Sequence, residues 1–321
     1  LGKVLHEEPR RLGDVNPQLS PFFEEVVHCL LAKEPGERFA DATTLLGVLA
    51  EGEGSAWWQE RAKAIQATTK RPLRRIRIPR ETAVYGREKE LATLDALFDQ
   101  VKAGEGQVVL VEGEAGIGKS RLVDELISRL RRDGEDLNFL FGSYPPGGAA
   151  TVSGALSSAF NEHFGSDGAG PHLAQTPLLV PAFEALLRGS VPPEGAPSLT
   201  MDSIGTCFAH ATRSLAAERP TIVLIEDLHF APEEAHALFS GLAMSVPGHR
   251  VLLIGSTRPG SSQEWVASLT RLPHTTSLPL PRLGPKDLVE LLQDSFQSEA
   301  LASSLAAQIA LKSDGNPFFA F

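Results

Sequence analysis

Cysteine is scarce in this chain, with only Cys29 and Cys207 among 321 residues. The two lie far apart in sequence, and neither has neighbours at the spacing of a metal site. This scarcity argues against a disulfide framework and against a zinc site. It favours a reducing compartment, which we expect to be the cytoplasm.

Other features are also missing. No apolar run approaches the length of a membrane span, and the first residues do not follow the pattern of a signal peptide. The chain begins with Leu1 instead of methionine, so we expect a fragment of a longer protein. Positive charge is not in surplus either: the net charge is −10. A nucleic-acid partner is therefore not expected, and an anion must be met at a local site.

The amino-terminal region divides into two segments that differ in composition. Apolar residues recur with helical spacing over residues 16–50, which predicts a small helical unit covering 1–52. Residues 53–81 resemble a basic linker, because the run from Lys70 to Arg80 holds six basic side chains and no acid. A solvated linker is the preferred interpretation, and binding of this run to a phosphate backbone or an acidic membrane stays open.

From residue 82 onward, short apolar runs alternate with amphipathic stretches. The predicted strands are 107–113, 137–143, 221–227, 250–258 and 275–280. Alternation of strand, loop and helix is typical of a parallel α/β sheet with helices on both faces. We expect such a core over residues 82–281, followed by the start of a helical lid over 282–321.

The stretch GEAGIGKS, residues 113–120, is called the phosphate loop below. Gly113, Gly118, Lys119 and Ser120 match the spacing G-x-x-x-x-G-K-[ST]. Such a loop points backbone N–H groups at an anion, and its lysine reaches the β- and γ-phosphates while its hydroxyl binds Mg²⁺. The helix that follows adds its positive end. We assign nucleotide binding to Gly113, Glu114, Ala115, Gly116, Ile117, Gly118, Lys119, Ser120 and Arg121.

Acidic residues follow a second predicted strand. Glu226 and Asp227 end an apolar run, at the sheet edge where ligands bind in such folds. We favour Glu226 for the Mg²⁺ shell and Asp227 for orienting the attacking water, with the reverse order open. Capping of the next helix is the alternative for the pair. Arg258 ends a third strand, and it either stabilises charge in the transition state or pairs with an acid.

Taken in order, these motifs resemble the bacterial signalling AAA-type ATPases, which include the STAND group and the origin-recognition-like ATPase domains. The matching segments are VYGREKEL (84–91), the phosphate loop, VLIEDLHF (223–230), LLIGSTR (252–258) and GNPFF (315–319). The resemblance implies a P-loop NTPase that binds ATP and Mg²⁺. It also implies that Gly86 and Arg87 lie against adenine and phosphates, and that Pro317 contacts the nucleotide from the lid.

The chain departs from that family at two positions. Glu226 stands where the family usually has aspartate, which leaves direct Mg²⁺ ligation open, and Phe230 stands where tryptophan is frequent. His229 follows the acidic pair. We expect it to be a structural histidine with satisfied hydrogen bonds, and the alternative is that it positions the acids.

Residues 16–49 are similar to the last helices of a bacterial serine/threonine protein kinase. The similarity rests on Leu31, Lys33, Pro35, Arg38 and Phe39. It implies a buried ion pair for Arg38 with an acid that cannot be assigned in this chain. The Gly-rich loop, the ATP lysine, the catalytic aspartate motif and the DFG motif of kinases are absent from the sequence, so we expect no kinase activity from it.

These patterns predict a slow regulatory ATPase module of a multidomain kinase. Its expected partners are ATP and the kinase and sensor domains of the same longer chain, with a homo-oligomer left open. Two alternatives are an origin-recognition-like DNA-binding ATPase and a nucleotide-binding scaffold that does not hydrolyse ATP.

Overall fold

The computed structural model describes residues 21–69, 83–144, 152–261, 263–296 and 299–320. Contacts between residues divide the chain into two units, Leu1–Glu81 and Thr82–Phe321. Within the described ranges, no helix combines the length and the apolar content needed to cross a membrane.

The first unit is helical in its described part. Its helices are α1 Pro21–Leu30, α2 Ala42–Glu51 and α3 Ala56–Thr69. Helix α2 begins where it does because the Asp41 carboxylate accepts a hydrogen bond from the Thr44 backbone N–H at 2.7 Å. Phe22 and Trp58 meet edge to face at 5.6 Å in a small core that also holds Val26 and Val48.

Helix α3 lies in the first half of residues 53–81, for which the sequence predicts a linker. The physical reason is a pair of anchors on one end of the helix. Trp58 is buried against α1, and Arg61 pairs with the buried Glu25 carboxylate at 2.8 Å. The basic run from Lys70 to Arg80 lies outside the described residues.

The second unit contains a five-stranded parallel sheet, as predicted. Its strands are β1 Gln107–Glu112, β2 Asn138–Ser143, β3 Thr221–Glu226, β4 Val251–Thr257 and β5 Thr275–Pro279. Their order is β2-β3-β4-β1-β5, and every neighbouring pair is parallel. Each strand lies within one residue of its predicted bounds. This is the sheet of a P-loop NTPase.

Helices cover both faces of this sheet. They are α4 Glu88–Lys102, α5 Lys119–Arg132, α6 Gly154–Phe164, α7 Val180–Arg188, α8 Met201–Glu218, α9 Glu233–Ser245 and α10 Gln263–Thr270. Successive strand residues face opposite sides. Val109 of β1 accordingly packs in one core with Phe98 of α4, while Val108 packs in the other with Phe208 of α8. Burial on both faces explains why the strands are almost uninterrupted apolar runs.

Two further helices, α11 Pro285–Phe296 and α12 Glu299–Ser313, form what we call the terminal helix pair. They have a small core of their own, which includes Leu288, Leu292 and Ala306. Tyr85, from the start of the second unit, packs against this core. The terminal helix pair is therefore tied to the segment that precedes α4.

Candidate functional site

The carboxyl ends of β1, β3 and β4 meet at one edge of the sheet. Glu112 pairs with Thr257 in the parallel register, and the Gly113 N–H donates to the Thr257 carbonyl at 3.2 Å. Strand β3, which lies on the other side of β4, ends at Glu226. The structure thus brings the phosphate loop, the acidic pair and the end of β4 to the same edge.

The phosphate loop takes a conformation that its glycines permit. Gly116 and Gly118 have φ values of 77° and 102°, which side chains rarely adopt. Ile117 is buried between them and anchors the loop to the core, while the outer face from Glu114 to Gly116 is exposed. Helix α5 starts directly afterwards, with the N–H groups of its first turn at the loop.

Lys119 is folded back onto this loop. Its Nζ donates to the carbonyls of Gly113 and Glu114 at 2.8 and 3.0 Å, and the side chain is buried. Burial lowers the pKa of Lys119, and the neighbouring charges of Asp227, Arg258 and Glu226 also act on it. Lysine, both acids and the arginine are therefore close enough to interact electrostatically. Ser120 and Arg121 occupy the first turn of α5, half-buried.

Gly86 and Arg87 precede α4. Gly86 has a φ of 62°, and a Cβ there would meet the Asp287 carboxyl carbon at 2.5 Å. Arg87 is buried, and its Nη2 donates to the carbonyls of Ile117 and Pro281 at 3.2 and 2.7 Å. Burial lowers the pKa of this guanidinium. In this structure Arg87 therefore supports the phosphate loop through its hydrogen bond to the Ile117 carbonyl.

The two acids differ in environment. Glu226 ends β3 and is buried. Asp227 has a left-handed backbone with a φ of 58°, and its N–H donates to the Ser256 hydroxyl of β4 at 3.0 Å. Its carboxylate is 39% exposed and makes no hydrogen bond within the described part of the chain. The backbone of Asp227 is held firmly, while its carboxylate keeps its hydrogen-bonding capacity.

Polar atoms at the end of β4 have no hydrogen-bond partner in the described part of the chain. Thr257 Oγ1 and Arg258 Nε are buried and have no hydrogen bond to any described residue. The Arg258 guanidinium lies 5.2 Å from the centre of the Phe230 ring, within the range of a cation–π contact. The alternative that Arg258 pairs with an acid is not seen among the described residues.

His229 departs from expectation. Its side chain is 4% exposed, and neither ring nitrogen hydrogen-bonds to a described residue. The hydrogen bonds expected of a satisfied structural histidine are therefore not seen among the described residues. Its Nδ1 lies 3.9 Å from Asp227 Oδ1.

Sequence reasoning missed two residues that join the phosphate loop to the end of the described chain. Asn316 Nδ2 donates to the Ala115 carbonyl at 2.9 Å. Arg282 binds the Glu114 carboxylate through Nη2 at 2.8 Å and also pairs with Asp314. Pro317, the predicted nucleotide contact, begins the short turn next to Asn316 and is half-buried. The GNP motif was a usable signal for Asn316, whereas nothing marked Arg282.

The residues at this edge fit a phosphorylated ligand with Mg²⁺. The loop offers backbone N–H groups at a helix start, and the end of β4 holds buried polar atoms that have no partner among the described residues. Ser120 and Glu226 supply the oxygen donors that Mg²⁺ prefers, and phosphate oxygens and waters usually complete its shell. Among the described residues, no group of three His, Cys, Asp or Glu forms a metal cage, so a cation held by protein alone is not supported.

A family model described as an AAA ATPase domain matches residues 83–254, more than half of the chain. An uncharacterized protein of Rhizobium meliloti (strain 1021) is 31% identical over 238 residues, which cover 67% of this chain and 23% of that protein. The chain therefore spans less than a quarter of the length of this relative.

Solved structures that this chain matches have low sequence identity to it. The STAND protein with a tetratricopeptide repeat sensor from Pyrococcus horikoshii is 20% identical, with a TM-score of 0.43, over 73% of this chain and 28% of that one. Cdc6p of Pyrobaculum aerophilum is 14% identical, with a TM-score of 0.47, over 73% and 58%. Aeropyrum pernix ORC1, in complex with DNA, is 16% identical, with a TM-score of 0.44, over 74% and 58%.

Proposed function

Because the chain belongs to the AAA ATPase domain family, we propose that it binds ATP with Mg²⁺ and hydrolyses it slowly as a regulatory module. The observation that carries the proposal is the meeting of three groups at one sheet edge. They are the phosphate loop, the acidic pair and the polar end of β4. Each of them serves a different part of phosphoryl transfer to water.

Binding starts from a loop that is already shaped. The N–H groups of the phosphate loop and the start of α5 hold the β- and γ-phosphates, and Lys119 exchanges its two carbonyl partners for phosphate oxygens. Since the lysine is already desolvated, this exchange costs little further dehydration.

Hydrolysis is an in-line displacement. The water oxygen bonds to the γ-phosphorus while the bond from that phosphorus to the bridging oxygen breaks, which yields ADP and inorganic phosphate. The Asp227 carboxylate orients the water and accepts its proton, and Arg258 stabilises the charge on the phosphoryl oxygens. Bound Mg²⁺ supplies further neutralisation of the phosphate charge, and Ser120 and Glu226 are the residues that would hold it, the latter directly or through water.

We also propose how this module is embedded. On the kinase resemblance of residues 16–49, the first unit is the end of a kinase carboxyl lobe in a longer cytoplasmic signalling protein. The ATPase core covers 82–281, and the residues from 282 onward begin a lid whose closure over ATP is the switch. Incubation of this chain with ATP and casein should give no phosphorylated protein, because the kinase motifs are absent.

Steady-state phosphate release tests the hydrolytic role. Asp227→Asn removes the proton acceptor but keeps a residue that tolerates the left-handed backbone at this position. We expect at least an about 100-fold lower turnover with ATP affinity little changed. Asp99→Asn is the control, because Asp99 is an exposed residue on α4. Absence of hydrolysis in the unaltered protein, together with intact ATP binding, would favour the non-hydrolysing scaffold.

A further inference from the structure

His229 lies in a short turn, Leu228–Phe230, directly after the acidic pair. Its ring contacts the Phe230 ring with 4.0 Å between the centroids. Both ring nitrogens are buried and lack a hydrogen-bond partner among the described residues. A buried polar group in this condition destabilises the folded state, so the placement of the ring calls for a reason.

Other histidines of the same unit show what a structural role looks like. Nε2 of His236 donates to the Leu228 carbonyl at 2.8 Å, and Nε2 of His274 donates to the Ala243 carbonyl at 3.0 Å. Carbonyl partners are therefore reached elsewhere in this fold. The environment of His229 differs in that the nearest ionisable oxygen belongs to Asp227, at 3.9 Å.

The His229 ring can donate a hydrogen bond and the Asp227 carboxylate can accept one, and neither does so among the described residues. Burial lowers the pKa of His229, and the positive charges of Arg258 and Lys119 lower it further against the opposing effect of Asp227. A neutral imidazole has one N–H to donate. A movement of about 1 Å brings Nδ1 within hydrogen-bond distance of Asp227 Oδ1. The Asp227 backbone is already fixed by Ser256, so only side chains need to move.

We propose that His229 is a positioning residue for ATP hydrolysis, whose Nδ1–H donates to Asp227 Oδ1 in the nucleotide-bound protein and fixes the carboxylate toward the attacking water. The inference rests on the proposed ATPase function and extends it to a residue outside the phosphate loop and the acidic pair. The ring packs against Phe230 with an angle of 43° between the two planes, and this contact restricts how the ring can rotate.

Substitution of His229 by asparagine or by glutamine distinguishes the roles of the two ring nitrogens. Asparagine places its amide near the position of Nδ1, whereas glutamine reaches the position of Nε2. We expect His229→Leu to lower kcat about 10- to 100-fold while KM for ATP changes less than about threefold. His229→Asn should recover most of kcat, and His229→Gln should not. Equal loss in the Asn and Gln variants, or a change confined to KM, would overturn the proposal.

A control separates positioning from folding. His274→Leu removes a half-buried histidine that bonds to the Ala243 carbonyl near the start of β5. It should lower the melting temperature without changing kcat per folded molecule. In the background of Asp227→Asn, His229→Leu should have no further effect on kcat, since the group it positions is already altered.

Nitrogen-15 spectra of labelled histidine give a readout that does not need turnover. The His229 signal is identified as the one that disappears in His229→Leu. With ATP and Mg²⁺ present, this signal should show a protonated Nδ1, and Asp227→Asn should shift it. If the unaltered protein hydrolyses no ATP, the proposed function fails, and these spectra still decide whether the two side chains interact. A protonated Nε2 with bare Nδ1, or no response to Asp227→Asn, would disprove the contact.

Discussion

The two halves of the sheet edge differ in whether their buried polar groups have hydrogen-bond partners. Around the phosphate loop, the buried cations have hydrogen-bond partners: Lys119 and Arg87 each donate to two backbone carbonyls. At the ends of β3 and β4, by contrast, His229, Thr257 and Arg258 keep buried polar atoms without partners among the described residues. The first half is preorganised by internal bonds, and the second keeps hydrogen-bonding capacity in reserve.

This difference fits a division of labour. A loop that must hold a phosphate needs a fixed backbone, because the alignment of its N–H groups determines binding. A site that acts on a water and a phosphoryl group needs donors and acceptors that are free for the reacting atoms. Such groups reduce stability, so they occur where function requires them.

Loss of an internal bond in the loop half should have the largest effect. Arg87→Leu removes two hydrogen bonds from a buried guanidinium and leaves the Ile117 and Pro281 carbonyls unpaired. We expect unfolding in denaturant to show a loss of about 2–4 kcal/mol. Arg132→Leu, on the exposed face of α5, is the control and should cost far less. Equal effects of the two variants would contradict the bracing role.

Contact between the loop and the terminal turn can be measured with two glycines. Gly116→Ala and Gly118→Ala both place a side chain on a backbone with positive φ, at a strain of about 1 kcal/mol or more. Only at position 116 would the new Cβ collide with Phe318 and approach Asn316 Oδ1 at 3.1 Å, whereas nothing lies within 4 Å at position 118. Without nucleotide, Gly116→Ala should be the less stable variant by about 1 kcal/mol in the same titration. Equal stability of the two variants would mean that the turn that holds Phe318 does not pack against the phosphate loop.

The smallest effect should have the opposite sign. Thr257→Val replaces a buried hydroxyl that has no partner among the described residues, so stability should rise by up to about 1 kcal/mol. The same substitution at Thr221, whose hydroxyl donates to the Arg219 carbonyl and accepts from Asn138, should destabilise. Destabilisation by both variants would show that the Thr257 hydroxyl does make a stabilising hydrogen bond in the folded protein.

Much of this arrangement could be predicted from sequence because it is local. Strand bounds follow from apolar runs, and the phosphate loop is a contiguous spacing of glycines with a lysine. Helix α3 was missed because its mean composition resembles a linker, and only its packing against Phe22 reveals it. The bonds from Arg87, Arg282 and Asn316 to the loop join residues far apart in the chain, so no local pattern shows them.

The central claim is that the phosphate loop holds ATP through Lys119. Isothermal titration of ATP with Mg²⁺ into the unaltered protein, Lys119→Ala and the control Lys102→Ala tests it most directly, since Lys102 pairs with Glu135 at the surface. We expect one ATP per chain in the unaltered protein and the control, and affinity lower by at least about 100-fold in Lys119→Ala. Undiminished ATP affinity in Lys119→Ala would contradict the account.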